Sequence, residues 1–169
     1  RVTLVAGHMD IDPPAGAEVV HAKSSADMHK ALIDLMGGQP DGVIMAAAVA
    51  DFRPAQQSTA KIKKAHGVQN LELEPTADIL TDICRQRVLG SMPIIIGFAA
   101  ETSSNREDLI ALGSGKLAAK GADAIVVNNV SNGEIFGSEN TEVLFIEQDQ
   151  VVEPIIGSKL NVAHAVVHR

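Results

Sequence analysis

The side chains able to do chemistry cluster in a few segments of this chain. Lys61-Ile62-Lys63-Lys64 is a compact positive group in an otherwise acidic sequence. Lysines act as point charges for phosphates, though a solvated surface loop is the plainer account of such a cluster. Lys116 and Lys120 are four apart and so share a helix face. Two ammonium groups so placed repel by a few tenths of a kcal/mol unless an anion or acid lies between them, which is compatible with a phosphate site and with none. Asp51 is the first charge after the apolar run Val43–Ala50. Its carboxylate can accept two donors from a base or sugar, or serve as a cap or turn residue. Phe98 follows Gly97 and could pack on a nucleobase or on the core.

These residues must be positioned by strands. Val2–Ala6, Glu18–Ala22, Val43–Ala47, Leu71–Leu73, Ile94–Ile96, Ala124–Val127 and Glu142–Glu147 read as strands from their apolar runs or alternation. Ser24 or Ser25 caps a helix carrying Met28, Ala31, Leu32 and Leu35, which Gly37-Gly38 stops. Thr76 caps another, with Ile79, Leu80 and Ile83 as its stripe. Arg106–Lys120 is a third, weakened by Gly113 and Gly115. Lys159–Val167 is the last. Val151–Val152 returns on Glu142–Glu147 as a hairpin turning at Asp149. Asp51–Asn70 lacks an apolar pattern and reads as a long polar loop. Alternating strands and helices predict an α/β fold: a Rossmann-like, mainly parallel sheet flanked by helices, with a late antiparallel hairpin. Three segments fall beyond carboxyl ends of strands, where ligands bind in open α/β sheets: Ala46–Asp51, Gly97–Thr102 and Asn128–Ser131. The small residues of Ala46–Ala50 either admit a ligand to the backbone or let a helix pack closely.

Composition removes other classes. The 169 residues suffice for one ordinary domain, and 46% are apolar. A net charge of −7 argues against a nucleic-acid backbone as partner, and four Phe with no Trp or Tyr against stacking platforms. One cysteine, Cys84, excludes a disulfide framework and fits a reducing compartment. The longest apolar runs are too short to span a bilayer, so a cytoplasmic location with no membrane partner is expected. The P-loop, dinucleotide and nucleophile-elbow patterns are absent. The six histidines lack zinc-type spacing apart from His164 and His168, which have no carboxylate between them. The chain opens without Met and already in a strand, so it is expected to be part of a longer protein.

Several motifs, in order, resemble one family. Val43-Ile-Met-Ala-Ala-Ala-Val-Ala-Asp-Phe-Arg-Pro-Ala55 looks like the hallmark of phosphopantothenoylcysteine synthetase. Lys61–Lys64, Gly97-Phe-Ala-Ala-Glu-Thr102, Lys116…Lys120-Gly-Ala-Asp123, Val127-Asn-Asn-Val-Ser131, Phe136-Gly-Ser138 and Ser158-Lys159 follow in family order. The bacterial form is commonly the C-terminal half of a bifunctional protein whose other half is a flavin-dependent decarboxylase.

The resemblance implies a ligase of coenzyme A biosynthesis. CTP, with Mg²⁺, activates 4′-phosphopantothenate as an acyl cytidylate, and the cysteine amine then displaces CMP. It also implies a homodimer, larger if a decarboxylase half carrying FMN is fused. By position, Met45, Ala46 and Ala47 present backbone to the nucleotide, Asp51 contacts it, and Lys61 reaches the phosphates as the catalytic residue. Ala77, Asp78, Ile79 and Leu80 line the cytidine site, Phe98 packs near the base, and Lys116 and Lys120 add positive charge. No protein ligand to a metal is assigned. The family often has Asn-Pro-Asp-Ile at Thr76–Ile79 and Asn-Asp-Val-Ser at Asn128–Ser131, so a carboxylate is absent at Asn129. It also has a strand, a Gly-Gly-Thr loop and an Asn…Ser-Ser-Gly-Lys segment ahead of the counterpart of Val2. Residues 1–169 are thus expected to form a single synthetase domain lacking that segment. A non-catalytic nucleotide-binding or oligomerisation module is the rival expectation. Lys61→Ala in the full-length protein should lower cysteine ligation, measured as steady-state turnover; unchanged turnover would remove Lys61 from the site.

Overall fold

The computed structural model describes residues 1–56, 70–87, 91–131, 140–148, 150 and 154–169. Packing divides the chain into two units, Arg1–Asp34 with Ala48–Ile79, and Leu35–Ala47 with Leu80–Arg169.

In the first unit, β1 (Thr3–Ala6) and β2 (Glu18–His21) pair in parallel, Thr3 opposite Glu18 and Ala6 opposite His21. Helix α1 (Ser25–Met36) follows, its last two residues belonging to the second unit. Its start is a reciprocal cap. Ser24 Oγ accepts from Asp27 N at 3.1 Å, and the Asp27 carboxylate accepts from Ser24 N at 3.0 Å. On the exposed side, the Asp34 carboxylate one turn on hydrogen-bonds Lys30 and holds its ammonium above the usual lysine range. Two short strands complete this unit: β4 (Phe52–Pro54) runs antiparallel to β5 (Leu73–Pro75). Strand β4 interrupts the segment expected to be loop. Its three residues are exposed and include a proline, so no alternation betrays it. Thr76 does not cap the next helix. Its hydroxyl donates to Ala50 O at 2.6 Å and its N–H to Asp51 O at 2.9 Å, extending the β4–β5 contact.

The second unit carries a five-stranded sheet. Strand β3 spans Gly42–Met45 and β6 Ile94–Glu101, while β7 spans Ala124–Asn129, β8 Asn140–Glu147 and β9 Ile155–Ser158. Their order is β3-β6-β7-β8-β9, with β3, β6 and β7 parallel and β8 and β9 antiparallel to their neighbours. The α/β class, the parallel strands and the late hairpin agree with expectation. The described return strand is Ile155–Ser158; Val151–Val152 and Asp149 lie outside the described residues. Strand β6 runs on through Glu101 because buried Gly97 and Ala99 alternate with exposed Phe98 and Ala100.

Helices α2 (Ile79–Arg85), α3 (Arg106–Lys120) and α4 (Lys159–Val167) complete the fold. Ala124, Val126, Val143 and Phe145 pack with Val162 and Val166 of α4. The other face of β6, β7 and β8 meets α2 and α3. There two glycines act by lacking a side chain. A Cβ on Gly97 would lie 2.6 Å from Leu80 Cδ2, and one on Gly113 would lie 2.6 Å from Val127 Cγ2 and closer still to Ile146 Cδ1. Gly113 is thus the contact that lets α3 lie on the sheet, whereas Gly115 faces open space. Helix α3 begins at Asn105, whose side chain accepts from Asp108 N at 2.8 Å. It ends at Gly121 in the left-handed region, φ 71°.

At the amino end of β6 a buried clasp closes the unit. Arg87, its side chain 2% exposed, reaches Asp123 at 2.8 Å and donates to Gly121 O and Ser91 O. Asp123 also accepts from Ile95 N at 2.6 Å. The two α3 glycines should respond with opposite sign. Gly113→Ala should lower stability by about 1–2 kcal/mol through overpacking. Gly115→Ala should raise it by about 1 kcal/mol through helix propensity. Shifts of the urea midpoint at unchanged slope measure both.

Candidate functional site

Three parallel strands, β3, β6 and β7, deliver their carboxyl ends to one edge of the second unit's sheet. Such an edge is where open α/β sheets receive ligands. Met45 pairs with Gly97 and is half-buried; Ala46 and Ala47 follow and are exposed. Phe98, one position beyond that pair, is 37% exposed, on the face away from α2 and α3. Its ring is therefore open to a flat apolar partner, not sealed in the core.

Beyond β6 and β7 the loop is held by amide and hydroxyl groups. Asn129 Nδ2 donates to Ser103 O at 2.9 Å, while its Oδ1 accepts from Ser131 N at 3.0 Å. Ser131 Oγ donates to Ser103 O at 2.8 Å and accepts from Ser103 N at 3.0 Å. Val130 N closes the ladder on Glu101 O at 2.8 Å. Ser103, itself buried, in turn bonds the backbone of Asn105, the cap residue of α3. Thr102, Ser103, Ser104, Asp108, Asn129 and Ser131 line a cleft of about 650 Å³. Asn129 therefore has a hydrogen-bonding role here that needs an amide. A carboxylate could accept from Ser131 but, ionised, could not donate to Ser103 O.

Lys116 meets an acid. Its Nζ lies 2.5 Å from Oε1 of Glu101, the last residue of β6. That oxygen makes no aligned hydrogen bond, so charge holds the pair. Lys120 is half-buried in the last turn of α3.

In the first unit, the Phe52–Pro75 pair and the two Thr76 bonds set Asp51 beside the segment leading to Ala77 and Asp78. Asp51, Ala77 and Asp78 are exposed. Ile79, the last residue of this unit, is buried, as is Leu80, the next residue and part of the second unit; neither offers its side chain to solvent. Lys61 and its neighbours lie outside the described residues, as does Phe136-Gly-Ser138. Reasoning from sequence missed Glu101 as the Lys116 partner and Ser103 as the hub of the loop. The position of Glu101 in the Gly97–Ala99 alternation, on the face that turns toward α3, was the available signal.

The whole chain, residues 1–169, matches the family described as DNA/pantothenate metabolism flavoprotein C-terminal domain. The chain belongs to that family. Among similar proteins is the coenzyme A biosynthesis bifunctional protein CoaBC of Mycobacterium tuberculosis (strain ATCC 25618 / H37Rv). It is 40% identical over 172 residues, covering 98% of this chain and 41% of the relative. CoaBC of Bacillus subtilis (strain 168) is 38% identical over 170 residues, covering 99% and 40%. The chain thus spans about two fifths of these curated relatives. A crystal structure of the C-terminal domain of CoaBC superposes with TM-score 0.73 at 31% identity, covering 99% of this chain and 73% of that one. The family assignment agrees with the resemblance drawn from the ordered motifs.

Among the described residues of this family member, no helix is long and apolar enough to cross a membrane. Asn129→Asp should cost about 1 kcal/mol through loss of the donor to Ser103 O. The substitution also adds a second carboxylate to the cleft that Asp108 lines. Both effects favour the protonated acid in the folded state and raise its folded pKa. The deficit should therefore be smaller at pH 4 than at pH 7, as read by urea unfolding at the two pH values.

Proposed function

We propose that this chain is the ligase portion of a CoaBC-type protein and joins 4′-phosphopantothenate to cysteine at the expense of CTP. The supporting observation is the match, at 40% identity over 98% of the chain, to proteins named for coenzyme A biosynthesis. The strand-tip edge has the right chemical parts for it. A carboxylate is a poor acyl donor because its leaving group would be oxide. In the first step a carboxylate oxygen of phosphopantothenate attacks the α-phosphorus of CTP. The bond to the β-phosphate breaks and pyrophosphate leaves. In the second, the cysteine amine attacks the acyl carbon, the carbon–oxygen bond to CMP breaks, and the amine loses a proton.

The first step brings an anion onto a polyanion, so cations must be in place before the charges meet. In the second unit Lys116 supplies one at the tip of β6, with Lys120 in the following turn of its helix. Lys61, by the family resemblance, is assigned the same task. Exposed alanines after β3 leave the backbone N–H and C=O groups within reach of a ligand, and Phe98 offers a face to the pyrimidine. Among the described residues no group of three or more His, Cys, Asp or Glu is placed as a metal cage. In this reading Mg²⁺ arrives with the triphosphate, because that ion keeps water and phosphate ligands readily. When bound, the ion supplies further neutralisation of phosphate charge. FMN belongs with a fused decarboxylase half, and no residue of this chain is assigned to it.

The full-length protein should bind CTP about tenfold or more tighter than ATP, because a pocket matched to one base's donors rejects another. It should release pyrophosphate only with phosphopantothenate present and CMP only with cysteine. Calorimetry with both nucleotides and a coupled pyrophosphate assay test this. Binding without release would make the chain a nucleotide-binding module instead.

A further inference from the structure

Glu101 stands where a carboxylate is hard to keep. It ends β6 on the face turned toward α3, and its side chain is 15% exposed. A poorly hydrated carboxylate needs a partner, and its Oε1 has Lys116 Nζ at 2.5 Å but no aligned hydrogen bond. The pair is lopsided, for Lys116 remains 46% exposed.

The Arg87–Asp123 clasp at the opposite end of the same strand shows what an architectural ion pair looks like here. There the cation is the buried partner, and both groups make further hydrogen bonds to backbone. At Glu101 the anion is buried and the cation looks outward. An ammonium has three N–H donors. With one side against Glu101, the others stay turned toward solvent at the edge where β3, β6 and β7 end.

We propose that Glu101 is a positioning residue: its buried carboxylate holds the Lys116 ammonium at the tip of β6, so that the cation meets an incoming polyphosphate already oriented. This rests on the CTP reading above and deepens it. Lysine's long stem loses its rotamer freedom before the chemical step, so that loss is not charged against the transition state, where phosphate charge redistributes. The carboxylate also offsets the repulsion between Lys116 and Lys120 on their shared helix face.

The test is a double-substitution cycle in the full-length protein, with Glu101→Gln, Lys116→Met and the pair combined. Ligation is measured at varied CTP, and CTP binding by calorimetry. Glu101→Gln should lower kcat by about tenfold while leaving KM for CTP within about twofold, the mark of an interaction used in the transition state. On the Lys116→Met background, Glu101→Gln should do nothing further, because it acts only through that ammonium. Glu101→Asp, which keeps the charge but shortens its reach, should fall between wild type and Glu101→Gln, and its effect should likewise vanish without Lys116. Additive losses in kcat would overturn the positioning role while the CTP reading stood. A wild-type protein that neither binds nor turns over CTP would overturn both.

Discussion

Close approach of α3 to the sheet is the constraint on which the strand-tip edge depends. It is possible because Gly113 has no side chain where Val127 and Ile146 come up against the helix. Interiors pack near crystal density, so this contact sets the height of the whole helix. Once α3 lies there, its cap at Asn105 fixes the loop from β6, and Ser103 in that loop meets Asn129 and Ser131 at the end of β7. The same height brings Lys116 down onto Glu101. Loop, cap and charge pair are consequences of one apolar contact.

The two ends of β6 use polar groups differently. At the amino end, Arg87 and Asp123 clasp the entry to the strand with a buried cation whose terminal nitrogens reach several oxygens while its Nε is left without a hydrogen-bond partner. Removing one partner from such a pair leaves a buried charge and costs about 3–5 kcal/mol. At the carboxyl end, the loop is tied by neutral amides and hydroxyls around Ser103, and the charged pair is left partly open. Neutral ties order the loop, and Asp108 is the carboxylate lining the cleft they form, where its charge opposes an anion. An exposed ammonium adds a field that attracts one. The more deeply buried ion pair thus lies at the end of β6 opposite the strand-tip edge.

The first unit works on a smaller scale. Its strands form two-stranded pairs, each short, and such ribbons have little stability alone. Thr76 compensates locally by bonding both Ala50 O and Asp51 O, which orders Asp51 against the start of the Ala77–Asp78 segment. That explains why Asp51 stays exposed yet held: its backbone carries the load and its carboxylate remains accessible.

Much was legible in the chain before any coordinates. Uninterrupted apolar runs such as Ala124–Val127, the cap at Ser24 and the span of α3 follow from local rules, because period, propensity and capping act over a few residues. The strand-end placement of Met45–Ala47 followed as well, since a parallel sheet puts the carboxyl ends of its strands at one edge; Phe98, expected beyond a strand ending at Ile96, instead lies within β6, which runs on to Glu101. Other features were not legible. Strand β4 has no alternation to show, Gly113 and Gly115 look alike in the sequence, and nothing local links Glu101 to Lys116 or Ser103 to Asn129. Those depend on contacts between residues far apart along the chain, where distance and desolvation, not residue type, decide whether a glycine is a requirement or a weakness and whether a lysine is held or loose.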